Sequence, residues 1–143
     1  MLRPRSIVMF LVVLIPLLAA CGGPNAETGT TFLEALSDGR PSSAKAQVCA
    51  DKEDTLPEEF QEAVAFIPEG EDAMGLKSPG LKDISCTAKE KDIECSFAAP
   101  VMHCEGNILG GGTMSCTSWE PNGKQVKVLF TLDGGKICGY DIQ

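Results

Sequence analysis

Six of the seven cysteines in this 143-residue chain lie between positions 49 and 138, and they constrain the fold more than any other feature. The seventh, Cys21, stands apart at the end of an apolar leader. An even number of cysteines in a domain of about 110 residues is typical of a small protein braced by disulfide bonds in an oxidising compartment. We therefore expect three disulfide bonds among Cys49, Cys86, Cys95, Cys104, Cys116 and Cys138.

Residues 1–20 have the parts of a secretory signal peptide. A start with two arginines and no acid precedes an apolar run from Ile7 to Leu18, and two alanines precede Cys21. The run is shorter than the roughly 20 residues that a membrane-spanning helix needs. The sequence therefore predicts export, with the signal peptide over 1–20.

The tetrapeptide Leu18-Ala19-Ala20-Cys21 resembles the lipobox of bacterial lipoproteins. This resemblance implies cleavage before Cys21 and acylation of its thiol, and two or three acyl chains give stable membrane anchoring. It places the protein in the bacterial cell envelope. Gly22 after the cysteine resembles outer-membrane sorting where two membranes are present, and a single-membrane envelope would hold the protein on the outer face of the plasma membrane. The alternative is an ordinary signal peptide that happens to end at a cysteine.

The stretch after Cys21 is rich in helix breakers, so residues 21–29 are expected to form a lipidated tether and the folded domain to span 30–143. A capping-box pattern at Thr31 predicts a first helix from Phe32 to Asp38. A second helix is expected after Ser42 or Ser43, with Cys49 on its half-buried face.

Thr55 opens a second capping-box pattern, and apolar residues then recur at helical spacing from Phe60 to Ile67. This pattern predicts a third helix that Pro68 ends. The following residues, 68–80, indicate a loop in which Met74 and Leu76 could plug the core. The outward glutamates of the third helix are interpreted as a solvated face rather than a catalytic pair (Glu58, Glu59 and Glu62).

From Leu81 onward the apolar period changes to two, which is typical of strands. A two-residue turn at 90–91 would place Cys86 opposite Cys95. A turn at 99–100 would then place Cys95 opposite Cys104, and the glycine-rich loop 106–112 would place Cys104 opposite Cys116. Four cysteines would form one row across four antiparallel strands, on the dry face of the sheet.

The last two strands are predicted over 126–132 and 136–142, with turns at 122–123 and 133–135. Strict two-residue turns would direct the apolar side chains of 126–130 to the wet face, so a one-residue offset such as a β-bulge is expected. Cys138 and Tyr140 would then join the dry face.

Six cysteines allow fifteen pairings. Our preferred set is Cys86–Cys95, Cys104–Cys116 and Cys49–Cys138, the last of which would fasten a helix to the final strand. A Cys95–Cys104 bond is equally reachable in the expected row and would force a different set.

Helices followed by strands predict an α+β fold, with two or three N-terminal helices on one face of a four-to-six-stranded antiparallel sheet. The helical start Phe32–Gly39 and the ending Val128–Tyr140 resemble small lipoproteins of the cystatin-like cone superfamily, also called nuclear-transport-factor-two-like. This resemblance implies a cone with a space between helices and sheet. It implies no particular activity.

Charge excludes several classes of partner. Acidic residues outnumber basic ones by 20 to 12, and the net charge of −8 becomes −10 once Arg3 and Arg5 leave with the signal peptide. This balance argues against nucleic acid and against electrostatic docking on anionic lipid.

The sequence indicates no catalytic residue, metal site or cofactor. No nucleophile motif is present, and the single histidine, His103, has no partner in sequence. A soft-metal site around Met102, Cys104, Met114 and Cys116 is disfavoured, because strand alternation directs His103 to the opposite face and disulfide sulfurs are poor ligands.

Three residues are candidate partner contacts. Ile108 and Leu109 lie in the glycine-rich loop, and Trp119 is either a core edge or a contact anchor. The leading interpretation is a lipid-anchored, non-enzymatic envelope domain that binds a protein or a small ligand. The alternatives are an enzyme or ligand carrier that uses the cone cavity, and a thiol–disulfide or soft-metal protein, which thiol titration would discriminate.

Overall fold

Three helices followed by six strands make up residues 25–106 and 112–143, the part of the chain that the computed structural model describes. The four longest strands form one antiparallel sheet in the order β3-β4-β5-β6, and β1 pairs with β2 separately. The predicted α+β fold is confirmed. The elements are α1 (Ala26–Ser37), α2 (Pro41–Lys45), α3 (Leu56–Val64), β1 (Asp72–Ala73), β2 (Leu76–Lys77), β3 (Lys82–Lys89), β4 (Asp92–Glu105), β5 (Ser115–Asp133) and β6 (Lys136–Ile142).

Helix α1 begins earlier than the sequence pattern predicted. The Asn25 side chain accepts a hydrogen bond from the backbone N–H of Glu27 at 3.0 Å, which caps the helix. The helix therefore starts at Ala26, not at Phe32, and the domain start predicted at residue 30 is wrong. Thr28 is buried in this first turn, so these residues belong to the folded part. Residues 1–24, with the predicted signal peptide and Cys21, lie outside the described residues.

Cys49 does not lie on a helix, contrary to the prediction. Helix α2 ends at Lys45, and Val48 then forms a parallel bridge with Ile137 at the outer edge of β6. The N–H of Cys49 donates to the Ile137 carbonyl at 2.9 Å. This segment is extended because the free edge of β6 supplies partners for its backbone groups.

Helix α3 ends at Val64, where Ala65 adopts a left-handed conformation with φ of 59°. The prediction that Pro68 ends it is wrong by one turn. Met74 is exposed at 62% in the turn between β1 and β2, so it does not plug the core. None of the helices among the described residues is long and apolar enough to cross a membrane.

Buried serines attach the 68–80 segment to the end of α1. The Ser78 hydroxyl donates to the Ile67 carbonyl at 2.6 Å, and the Leu81 N–H donates to the Ser37 hydroxyl at 2.9 Å. Gly80 has a φ of 65°, in the left-handed region. A Cβ there would lie 2.6 Å from the Ser37 hydroxyl, so only glycine fits.

The sheet is covered by the helices on one face. Rows of opposed buried residues run across β4 and β5, with Ile93 paired to Phe130 and Cys95 paired to Val128. The predicted burial of this part of β5 is confirmed. The register shifts between Thr131 and Leu132, beside the 133–135 turn, which agrees with the expected offset.

Four phenylalanines fill the space between the helices and the sheet. The Phe60 ring of α3 has its centroid 5.6 Å from Phe32 of α1, 6.3 Å from Phe97 of β4 and 5.4 Å from Phe130 of β5. All four side chains are less than 2% exposed. Tyr140 closes the cluster from β6, with its ring 5.1 Å from that of Phe60, so its predicted place on the dry face is confirmed.

Gly29 lets α1 contact the Cys86–Cys95 disulfide directly. A Cβ atom at Gly29 would lie 2.8 Å from Cys95 Sγ and 3.1 Å from Ile93 Cγ2. We predict that Gly29→Val lowers the free energy of unfolding by about 1–3 kcal/mol, the usual cost of overpacking. Chemical denaturation checks this, with Glu34→Val on the exposed side of the same helix as the control. Equal stability of the two variants would contradict the close contact.

Candidate functional site

The three disulfide bonds join Cys49 to Cys138, Cys86 to Cys95 and Cys104 to Cys116. Their Cα–Cα distances are 5.1, 4.1 and 3.9 Å, respectively. The preferred set of pairings is confirmed. The single row of four cysteines is wrong, because Cys95 and Cys104 lie on the same strand, β4.

Beyond Ala99, β4 and β5 continue as a two-stranded ribbon that no other described strand joins. Pairing with β3 ends at Ala98, and pairing with β6 ends at Val128. We call the residues Val101–Glu105 and Ser115–Glu120 the arm. It projects from the sheet, and the Cys104–Cys116 bond lies near its tip. In the described residues, both outer edges of the arm are without a partner strand.

Two prolines mark the junction between the arm and the body. Neither Pro100 nor Pro121 has a register partner, and the register shifts between Ala99 and Val101. Proline lacks the N–H that a strand ladder needs, so it occupies such irregular positions. The turns predicted at 99–100 and 122–123 are therefore wrong. The prolines and the glycine that indicated them lie instead at one irregularity in the pairing of two continuous strands.

Gly123 allows the two strands to approach each other at this junction. A Cβ atom there would lie 2.7 Å from Val101 Cβ and 3.2 Å from the Glu120 carbonyl oxygen. Val101 therefore packs closely on Gly123 at the junction between the arm and the rest of the sheet.

Two exposed apolar side chains lie in the arm or directly before it in sequence. Val101 and Met114 are each 42% exposed. Trp119 is half-buried and stands opposite Met102 across the ribbon. Its indole Nε1 is covered, and no acceptor lies within hydrogen-bond distance in the described structure. A covered donor without a partner is uncommon. Trp119 lies in the arm and is not part of the buried core cluster.

The described polar groups of the arm include one contact between a histidine and a carboxylate. His103 Nε2 lies 3.7 Å from Glu105 Oε1, and both side chains are exposed. The Cys104–Cys116 bond removes the two thiolates that a soft metal would use. Within residues 25–106 and 112–143, no group of three His, Cys, Asp or Glu side chains is placed to hold a metal ion.

Of the predicted partner contacts, Trp119 lies in the arm, while Ile108 and Leu109 lie outside the described residues. Sequence reasoning missed Val101 and Met102 as surface residues. It missed them because a turn at 99–100 would have folded both back against the sheet. The paired prolines at 100 and 121 were the available signal.

A groove lies on the helical side of the domain, away from the sheet. It has a cavity volume of about 600 Å³ and is floored by Leu36, Pro57 and Phe66. Lys45 Nζ bonds the Asp54 carboxylate at its rim at 2.7 Å, and this hydrogen bond and charge raise the pKa of Lys45. The space that the cone resemblance implied, between helices and sheet, is instead filled by the phenylalanine cluster.

Two other observations describe the surroundings of the core. Burial, with a smaller contribution from the Glu59 charge, raises the pKa of the Tyr140 hydroxyl.

On the open face of the sheet, Glu94 pairs with Lys127 at 3.2 Å and with Lys89 at 3.7 Å. These ion pairs are partly exposed and contribute little to stability.

Comparison with known proteins identifies no relative. No protein-family model matches the chain, and no significant match is found among curated proteins or solved structures. Any function is therefore inferred from the residues of this chain alone.

The arm disulfide is expected to order the arm more than it stabilises the body. We predict that Cys104→Ser with Cys116→Ser lowers the global free energy of unfolding by less than the roughly 3 kcal/mol that its loop length would give, since the freed arm frays in the native state. Hydrogen exchange at the backbone amides of the arm should accelerate, while exchange at Val128 and Phe130 stays slow. Unfolding of the whole sheet would contradict an independent arm.

Proposed function

We propose that this chain is a lipid-anchored, non-enzymatic protein of the bacterial cell envelope, and that its arm binds another envelope protein. The observation that carries the proposal is the arm itself. Apolar side chains extend beyond the core in the arm and directly before it, with Val101 and Met114 each 42% exposed, and the arm has its own disulfide bond. A stiff projection with exposed apolar residues fits a protein contact, because such patches mark interaction surfaces.

The shape of the arm favours a protein partner over a small ligand. Small-ligand sites are concave and mostly enclosed, whereas the arm is a two-stranded ribbon with partner-free edges. An extended segment of a partner can pair with such an edge through backbone hydrogen bonds, while Trp119 and Met102 supply side-chain contacts.

The anchor is the lipobox resemblance at Leu18–Cys21. Acylation of Cys21 after cleavage would hold the domain at a bilayer, and the remaining six cysteines pair completely. Their pairing supports an oxidising, extracytoplasmic compartment. Gly22 favours the periplasmic face of the outer membrane in a two-membrane envelope, and a single membrane would carry the domain on its outer face.

A second function, carriage of a small ligand, is supported by the groove on the helical side. Its apolar floor and the acidic rim residues Asp54, Glu58 and Glu62 suit an organic cation with an apolar part. Native mass spectrometry of the purified domain tests this function. A bound cation that Phe66→Asp removes would support carriage.

Photocrosslinking in intact cells tests the protein-partner proposal. A benzophenone amino acid replaces Met114 beside the arm, or Met74 in the β1–β2 turn as the matched control, since both methionines are exposed. We expect one discrete heavier adduct from position 114, absent from position 74 and weakened by Trp119→Ala. Identical products from the two positions would contradict a role for the arm.

A further inference from the structure

We infer that the lipid anchor and the arm lie at opposite ends of the domain, so that one end faces the lipid headgroups and the arm points away from the membrane. The inference rests on the proposed acylation of Cys21 and extends it. The membrane-facing end consists of the start of α1 with the β3–β4 turn (residues 90–91) and the β5–β6 turn (residues 134–135).

The link between anchor and domain is short. Only Gly22, Gly23 and Pro24 separate Cys21 from Asn25, which caps α1. Four Cα–Cα steps of 3.8 Å reach at most about 15 Å. Because the first turn of α1 is buried against the sheet, Asn25 cannot move away from the body without unfolding that turn.

Contacts of α1 identify which end of the sheet is anchored. The Thr28 hydroxyl donates to the carbonyl of Gly135 in the β5–β6 turn at 3.4 Å. Gly29 lies against Ile93 and Cys95, at the start of β4 and just after the β3–β4 turn. The first turn of the helix therefore contacts the β5–β6 turn directly and packs on the start of β4, two residues after the β3–β4 turn.

The arm lies at the other end of the same strands. β4 starts beside α1 at Asp92 and runs to Glu105, and Trp119 pairs with Met102. Met102 is nine residues beyond Ile93, which corresponds to about 30 Å along a strand. This span is about twice the reach of the link, so the anchored end and Trp119 are well separated.

Charge favours the same orientation. The anchored end carries three exposed lysines in or beside its turns, at 89, 91 and 136, which offset most of the charge of its four acids (Glu27, Glu90, Asp92 and Asp133). On the helical side the acids outnumber the bases (Arg40, Lys45 and Lys52), so anionic headgroups repel it. Its exposed acids are Asp51, Glu53, Asp54, Glu58, Glu59 and Glu62. A domain that rests on its helices is thus disfavoured.

The single tryptophan of the chain makes the orientation measurable. The full acylated protein is reconstituted in vesicles of phosphatidylcholine and phosphatidylglycerol that carry a nitroxide on the headgroup, which quenches nearby indoles. Trp119 reports the arm. A second protein, with Lys91→Trp and Trp119→Phe, reports the β3–β4 turn, where Lys91 is exposed.

We expect the indole introduced at position 91 to be quenched several-fold more than Trp119, whose emission should match that in unlabelled vesicles. Equal quenching would mean that the domain lies on its side, for example on the open face of the sheet, and would overturn the inference. Absence of quenching at both positions in vesicle-bound protein would also overturn it. Flotation of the vesicles beforehand tests the anchor separately, since protein that stays at the bottom of the gradient contradicts acylation itself.

Discussion

Replacing Cys49 and Cys138 together by alanine is expected to lower the free energy of unfolding by about 4.5 kcal/mol. The two residues are 89 positions apart, the longest loop that any of the three disulfides closes. The bond fastens the segment after α2 to β6, beside the bridge of Val48 with Ile137. A loss of this size is a large share of the 5–15 kcal/mol that holds a typical domain folded.

The matched comparison is removal of Cys86–Cys95, which closes a separation of only 9 residues. The chain-entropy relation gives about 2.7 kcal/mol for a loop of this length. Urea denaturation of both double variants, in the same background, should therefore rank the long loop well above the short one. A larger loss from Cys86–Cys95 would show that its buried contact with Gly29 outweighs loop length.

Cys21→Ala is expected to move the protein almost completely from the membrane fraction to the soluble fraction. Without the thiol, no diacylglycerol can be attached, so the stable anchoring that acyl chains give is lost. Detergent phase partition of cell extracts measures the change. Gly23→Ala, which leaves the lipobox intact, should keep the wild-type distribution.

The two outcomes separate anchoring from export. If Cys21→Ala remains in the detergent phase, the membrane attachment is not through this residue. If it is soluble but retains its three disulfides, export and folding proceed without the lipid. Fluorescence of Trp119 in the soluble variant should match that of the anchored protein, since the arm does not depend on the anchor.

Alternation along strands places Cys86 opposite Cys95 and Cys104 opposite Cys116, but by itself it leaves a Cys95–Cys104 bond equally reachable. Cys86 and Cys95 flank a two-residue turn at equal distances, so a hairpin must oppose them whatever the rest of the sheet does. Cys104 and Cys116 are similarly placed about the 106–112 loop. The 133–135 turn was also predictable, because Asp-Gly-Gly is a strong hairpin signal.

The arm could not be predicted, because its junction residues carry turn chemistry. Pro100 and Pro121 each indicate a break when they are considered alone. Only their common location at the register shift beside Val101 and Glu120 shows that both strands continue through the same irregularity. Such a long-range coincidence depends on tertiary pairing, which local patterns do not contain.

The start of α1 was missed for a related reason. Glycines at positions 22, 23 and 29 favour a tether, yet Gly29 lies inside α1, where the lack of a side chain lets the helix pack against Cys95. Similarly, the sequence pattern around Cys49 predicts a helix, but the segment is extended because the Cys49 N–H donates to the Ile137 carbonyl at the free edge of β6. In both cases packing determined the local conformation.

Intact-mass analysis of protein extracted from its native membranes tests the central claim most directly. We predict a chain that begins at Cys21, carries two or three acyl chains, and is six hydrogens lighter than its reduced form because three disulfides are present. Blocking free thiols before extraction should add no mass. An unmodified amino terminus, or alkylation at any of the six cysteines, would contradict the claim.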